Sequence, residues 1–220
     1  MTTFPYDHLS PSSINKYLEC PRAFLYYKNG VEGDRDERYA VTGSAVHAEI
    51  QRLYDTGCKT EDIDSSKVIK DRYFAAMAGH DMLLVGHPSL KPSADWKAET
   101  TITAPYDGVT ILGRIDLMKT DGKKIVDWKT GARTDKDVMQ ARIYQWLACR
   151  DRGLEPDKVE VRLAYLREHP VGYVHVPYTS HAAVEMIFGT VIDGIRAGNY
   201  AGKKGKQCSQ CEYRSVCEDW

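Results

Sequence analysis

Apolar positions recur at helical spacing early in the chain, give way to short alternating runs in the middle, and return to helical spacing towards the end. Ser10 or Ser12 is placed to cap a first helix, with Pro11 pre-set for a helix start and Asn29-Gly30 as its stop. The charged stretch 32–38 reads as a loop. A second helix is expected to begin near Gly43 and to carry Ala45, Val46, His47, Ile50 and Leu53. A third is expected over 66–78. The stretch 79–94, with Gly86, Pro88 and Pro92, reads as a connection.

The period then changes. Residues 100–104, 109–118 and 124–129 are short and β-rich, and Asp107-Gly108 and Asp121-Gly122 are hairpin turn signals between them. A helix over 135–151 follows, stopped by Gly153 and Pro156. Strands are expected over 159–166 and 171–176, and a helix over 182–197. A Gly/Lys-rich connector and a cysteine tail close the chain. With no internal repeat, the order predicts a single α/β core with helical additions.

At 220 residues the chain can build one sizeable core. No apolar run approaches the roughly 18 residues that span a bilayer. The start, MTTFPYDHLSPSS, lacks a basic segment followed by an apolar one, so the expected compartment is the cytoplasm, with no membrane partner. The net charge of −1 gives no basic surplus for nucleic acid, so any such contact falls to local patches. Lys203, Lys204 and Lys206 near the end, and Arg22 and Lys28 in the first helix, are candidates; surface lysines without a partner are the plainer alternative.

The chemistry gathers in GRIDLMKTDGKKIVDWKTG, residues 113–131. Asp116 lies in one expected strand and Asp127 in the next, so strand pairing can bring the two carboxylates together. Buried like charges repel unless a cation lies between them, and a hard divalent ion suits oxygen ligands. Lys129 is two residues beyond Asp127 and shares its face. Two carboxylates and an ammonium at one point suit phosphodiester hydrolysis. Taken alone, D-x-K also fits an exposed ion pair. Gln140 and Tyr144, at i and i+4, share a helix face. His47 offers a neutral imidazole as a further ligand, although a lone helical histidine is more often a packing residue. Glu99 is a further acid at a strand start, with nothing local demanding it.

These pieces, G-S-A-V-H (43–47), G-R-I-D (113–116), D-W-K-T-G (127–131) and Q-A-R-I-Y (140–144), resemble the RecB-like branch of the PD-(D/E)XK nuclease superfamily in order and spacing. The resemblance implies a restriction-endonuclease-like core, with a mixed central sheet flanked by helices. It makes 1–220 one nuclease domain: a helical part over 1–95, the core over 96–200 and a tail over 201–220. By resemblance, His47, Asp116, Asp127 and the Trp128 carbonyl bind Mg²⁺ or Mn²⁺, Lys129 is the catalytic lysine, and Gln140 and Tyr144 contact DNA or support the site. Trp128 departs from the family's usual Tyr or Phe, on the face away from Asp127.

Of six cysteines, Cys208, Cys211 and Cys217 form C-x2-C-x5-C, and Cys20 is the candidate fourth ligand. Zinc ribbons usually present two C-x-x-C knuckles, whereas iron–sulfur clusters accept wider spacing. One cysteine before the nuclease motifs and three after resembles the iron–sulfur nucleases of the superfamily, among them the AddB nuclease domain, exonuclease V and the fourth CRISPR-associated protein family. That implies a [4Fe-4S] cluster on Cys20, Cys208, Cys211 and Cys217, docking the tail on the N-terminal helix. A cross-link closing so long a loop is worth roughly 4 to 5 kcal/mol, if it acts as a disulfide does. Cys58 and Cys149 have no partner at ligand spacing. The expected function is a metal-dependent deoxyribonuclease, a single-strand-acting exonuclease in recombination, repair or CRISPR adaptation, alone or beside a helicase or CRISPR adaptation proteins. Tyr17, Phe24, Tyr26 and Tyr27 offer stacking surfaces for bases, though such spacing more often marks core. Two rivals stand beside it: a catalytically inactive DNA-binding or scaffold subunit of the same fold, and a zinc-stapled interaction protein.

Overall fold

The structure is a computed structural model that describes residues 4–34, 37–57, 92–166, 168 and 172–220. The helix expected over 66–78, most of the connection over 79–94, and Cys58 lie outside the described residues. The described elements are β1 (His8–Leu9), α1 (Pro11–Glu19), α2 (Pro21–Lys28), α3 (Glu37–Thr56), β2 (Trp96–Tyr106), β3 (Val109–Lys119), β4 (Lys124–Lys129), α4 (Asp135–Arg152), β5 (Glu160–Tyr165), β6 (Gly172–Val176) and α5 (His181–Arg196). The strands form one mixed sheet in the order β1-β3-β4-β5-β6, with β2 also paired to β3. Pairing is parallel for β1/β3 and β4/β5 and antiparallel for β3/β4 and β5/β6. This is the mixed sheet flanked by helices that the motifs implied. Among the described residues, no helix is long and apolar enough to cross a membrane.

The chain divides into two compact units: residues 1–36, 103–112 and 180–220, and residues 37–102 and 113–179. In the first, the helix expected to run from Pro11 to Asn29 is instead two helices. Pro21 has no N–H to give, and it pushes the preceding residue out of the helical region. Cys20 is accordingly extended, at φ −159° and ψ 111°, ending α1 and opening α2. Leu9, Ile14, Tyr17 and Phe24 are buried, and the Tyr17 and Phe24 rings meet edge to face at 5.3 Å. These two aromatics are core and not stacking surfaces; Tyr27 is the exposed one. The tail docks on α1 and α2 through a Lys16–Glu212 ion pair, Tyr26 Oη donating to the Val216 carbonyl at 3.3 Å, and Arg22 pairing with Glu218 at 3.0 Å. Lys28 donates to the His8 carbonyl at 3.2 Å. Arg22 and Lys28 therefore serve the packing of this unit. Asp107 and Gly108 both take positive φ, 48° and 72°, the backbone a two-residue hairpin turn demands.

In the second unit the alternation of β4 decides the layers. Val126 and Trp128 face a core formed with Val46, Ile50 and Tyr54 of α3, and with Leu117, Ala164 and Leu166. Asp127 and Lys129 point to the opposite face, against α4. The α3 helix starts six residues before Gly43, at Glu37. Gly43 lies inside it because a Cβ there would stand 3.2 Å from Thr130 Oγ1, so glycine allows close approach rather than marking a start.

Candidate active site

All the candidate catalytic residues belong to the second unit. The β3–β4 register pairs Met118 with Ile125 and Leu117 with Val126. One step further along the two strands come Asp116 and Asp127. There the Trp128 N–H donates to Asp116 Oδ2 at 2.7 Å, so a carboxylate takes a backbone donor at the end of the paired segment. Both acids are buried, Asp116 at 8% exposure and Asp127 at 1%. The Trp128 side chain faces the opposite layer, as alternation requires.

From α3, His47 reaches this point, with Nδ1 3.4 Å from Asp116 Oδ1 and 3.7 Å from Glu99 Oε1. Donor atoms of His47, Glu99 and Asp116 all lie within 4.8 Å of one another, the spacing of a metal-ion site. Asp127 stands outside that group. Glu99 is the residue that sequence reasoning left aside. It sits in β2 with φ +48°, a left-handed conformation that non-glycine residues rarely adopt. Its other oxygen meets Arg114 Nε at 2.5 Å.

Lys129 is gripped from several sides. Its Nζ lies 2.6 Å from Asp127 Oδ2, donates to Gln140 Oε1 at 2.9 Å, and lies 3.8 Å from Asp137 Oδ1. The Asp127 Oδ2 contact is an ion pair without hydrogen-bond alignment. Gln140 Nε2 in turn donates to Tyr144 Oη at 2.7 Å and to Asp127 Oδ1 at 3.4 Å. The i, i+4 pair on α4 thus forms one hydrogen-bonded chain with the lysine and the acid. Gly113, the glycine of G-R-I-D, permits this: a Cβ there would fall 2.5 Å from Leu147 Cδ1 and 3.1 Å from the Tyr144 ring.

The charges bear on one another. Burial raises the Asp127 carboxyl, Asp116 adds to it, and Lys129 and His47 oppose; the outcome is a pKa pushed up to about 7. For His47, burial alone would lower the pKa, but the carboxylates of Asp116 and Glu99 close to its Nδ1, and the charge of Asp127, outweigh it, pushing it up to about 10. Burial likewise works against the Lys129 ammonium, and Asp127 overcomes it, so its pKa rises. A buried carboxyl that holds its proton to about pH 7 beside a charged imidazole marks a site short of positive charge, which a divalent cation would supply. The donor set of carboxylates and one imidazole fits such an ion.

The four tail and helix cysteines fall in the first unit, and all are free thiols. The Lys203 backbone touches two of them: its N–H points at Cys20 Sγ at 3.4 Å, and its carbonyl lies 3.9 Å from Cys208 Sγ. Burial pushes the Cys211 thiol up, the Tyr213 backbone opposes, and Cys20, Cys217 and Cys208 push it further. Among the described residues the four sulfurs do not close to single-ion spacing; only His47, Glu99 and Asp116 do.

A comparison with curated proteins finds no match. Among solved structures, the chain is similar to the protein SSO0001, at 16% identity and TM-score 0.51, over 98% of this chain and 88% of that one. It is also similar to a protein from Eubacterium rectale named "putative exonuclease", at 14% identity and TM-score 0.65, over 96% and 90% of the two chains. At such identities these likenesses speak for the fold. The family model of the PD-(D/E)XK nuclease superfamily matches residues 8–218, which takes in every residue of the acidic cluster and its lysine, and the chain belongs to that superfamily.

Proposed function

We propose that this protein is a divalent-metal-dependent deoxyribonuclease, hydrolysing phosphodiester bonds as a single-strand-acting exonuclease. The observation that carries the reading is the convergence of His47, Glu99 and Asp116 to ion spacing, with the Asp127–Lys129 pair on the neighbouring strand. His47, Asp116, Asp127 and the Trp128 carbonyl would hold Mg²⁺ or Mn²⁺, with Glu99 beside them. A bound ion of this kind activates water and stabilises charge on a phosphate. Lys129, kept protonated by Asp127, offers a fixed positive charge for the phosphate oxygens as negative charge builds there. Gln140 fixes the lysine and Tyr144 fixes Gln140. The preference for single strands rests on the resemblance to RecB-like exonucleases alone, and that for ends on the same resemblance together with the name of the Eubacterium rectale protein. Recombination, repair or CRISPR adaptation, alone or with a helicase or CRISPR adaptation proteins, is the matching setting.

The same reading assigns a [4Fe-4S] cluster to Cys20, Cys208, Cys211 and Cys217. Four free thiols in one unit, three of them acting electrostatically on Cys211, support it. Tetrahedral zinc would need sulfurs about 3.8 Å apart at a Zn–S length of about 2.3 Å. A cluster binds each thiolate to a different iron and tolerates wider separation. Anaerobically purified protein should be brown and carry iron; a colourless zinc protein would discard the cluster.

The deciding experiment is cleavage of end-labelled single-stranded DNA with Mn²⁺, comparing wild type with Lys129→Ala. Cleavage by wild type and its loss in the folded variant is the expected result. A folded wild type that cuts neither single nor double strands with Mn²⁺ or Mg²⁺ would leave a non-catalytic DNA-binding subunit as the better reading.

A further inference from the structure

Lys129 has three N–H donors to place. One side of the ammonium faces Asp127 Oδ2 at 2.6 Å and another Gln140 Oε1 at 2.9 Å. Asp127 is an acid that a bound cation would share, and Gln140 is neutral. Neither holds a full negative charge on the lysine once the site is loaded. Asp137, whose Oδ1 lies 3.8 Å from Nζ, is an acid beside Lys129 that stands apart from the His47, Glu99, Asp116 group.

Asp137 is itself held. Its Oδ2 accepts from the Thr134 N–H at 2.9 Å, which fastens the start of α4, and from Tyr165 Oη at 3.0 Å. Tyr165 is the β5 register partner of Lys129. The Arg133 guanidinium lies 5.0 Å from the Tyr165 ring centre and is paired with Glu168. With Oδ2 taken twice, Oδ1 is turned towards the lysine. A capping residue needs only one oxygen; the cap by itself does not account for a second one aimed at Nζ.

We infer that Asp137, aligned by Tyr165, is a positioning residue that fixes the Lys129 ammonium over the site. The inference rests on the nuclease reading above. Asp137→Asn keeps an acceptor for Thr134 and Tyr165 but removes the charge. Asp137→Glu keeps the charge and the cap, since Glu is common at that helix position. The expected result is a wild-type melting temperature for Asp137→Asn, an unchanged KM, and a kcat about tenfold lower, as for other outer partners of a reacting group. Asp137→Glu should recover most of the loss. In the metal-free protein, ¹⁵N-lysine NMR should show a protected Lys129 ammonium signal that Asp137→Asn abolishes. Wild-type kcat in Asp137→Asn, a loss confined to KM and melting temperature, or an unchanged ammonium signal would each overturn the inference. Lys129→Ala run in parallel separates the two levels. Full activity there sinks the nuclease reading of the site, whereas an inactive Lys129→Ala beside a fully active Asp137→Asn sinks the positioning role alone.

Discussion

Glu99 Oε1 lies 3.7 Å from His47 Nδ1, although one residue is in a strand and the other on a helix. The contact is made with Glu99 at φ +48°. A left-handed backbone at a residue with a Cβ costs on the order of 1–3 kcal/mol and persists where the surroundings dictate it. The side chain is only 9% exposed and is shared between His47 and Arg114. We predict that Glu99→Gln folds normally but binds Mn²⁺ at least about tenfold more weakly, as loss of a charged ligand or its partner does. Isothermal titration calorimetry measures this directly, and unaltered affinity would remove Glu99 from the ligand group.

Cation binding should release protons. His47 is held above its ordinary value, so its contribution to stability is complete below about pH 6.5 and is lost as pH rises through about 10. Asp127 is also raised, so the folded state holds its proton between about pH 4 and about 7, and stability falls with rising pH across that window too. Both groups must lose a proton to act as ligands. The affinity for Mn²⁺ should therefore climb with pH through both groups up to about 7 and through His47 alone from there to about 10, approaching tenfold per unit for each proton released. Calorimetry in two buffers of different ionisation enthalpy counts those protons; a pH-independent affinity with no proton release would contradict the assigned ligands.

Gly113→Ala should disturb the site from below. The new methyl would meet Leu147 Cδ1 at 2.5 Å and the Tyr144 ring at 3.1 Å, and both side chains are buried, so these two α4 side chains, or α4 with them, must shift. Overpacking of this kind costs about 1–3 kcal/mol. Because α4 carries Gln140 and Tyr144, the same shift should lower kcat. Urea unfolding and single-turnover cleavage test the two effects separately, and a variant with wild-type stability would mean the helix yields freely.

What could be read in advance was what local geometry controls. Alternation along a strand placed Asp127 and Lys129 on one side, helical spacing placed Gln140 beside Tyr144, and Asp-Gly marked the tight turn at 107–108. What escaped depended on distant contacts or on competing local rules. The place of Glu99 arises from a backbone bend that no neighbouring residue announces. Asp137 looks from sequence like an ordinary first-turn acid, and its link to Lys129 needs the β4–β5 register to be seen. The short β1, only two residues, carries no periodicity. Pro21 was a readable helix breaker, and the capped, amphipathic run on both sides of it masked the break.

Trp128 separates stability from chemistry at adjacent positions. Its side chain is 1% exposed and packs with Val46, Ile50 and Leu117, while Asp127 and Lys129, one residue to either side, face the opposite layer. Truncation to alanine removes a large ring from a closed core and should cost about 3–5 kcal/mol. Trp128→Phe retains most of the apolar area, and it also removes a buried indole N–H that has no hydrogen-bond partner among the described residues, so its cost should be well below that of alanine. If the backbone carbonyl is the only part of this residue that serves the site, Trp128→Phe should cleave DNA at close to the wild-type rate with an unchanged Mn²⁺ requirement. A stable Trp128→Phe with a kcat reduced as far as that of Lys129→Ala would show that the ring itself sets the geometry of Asp127 and Lys129.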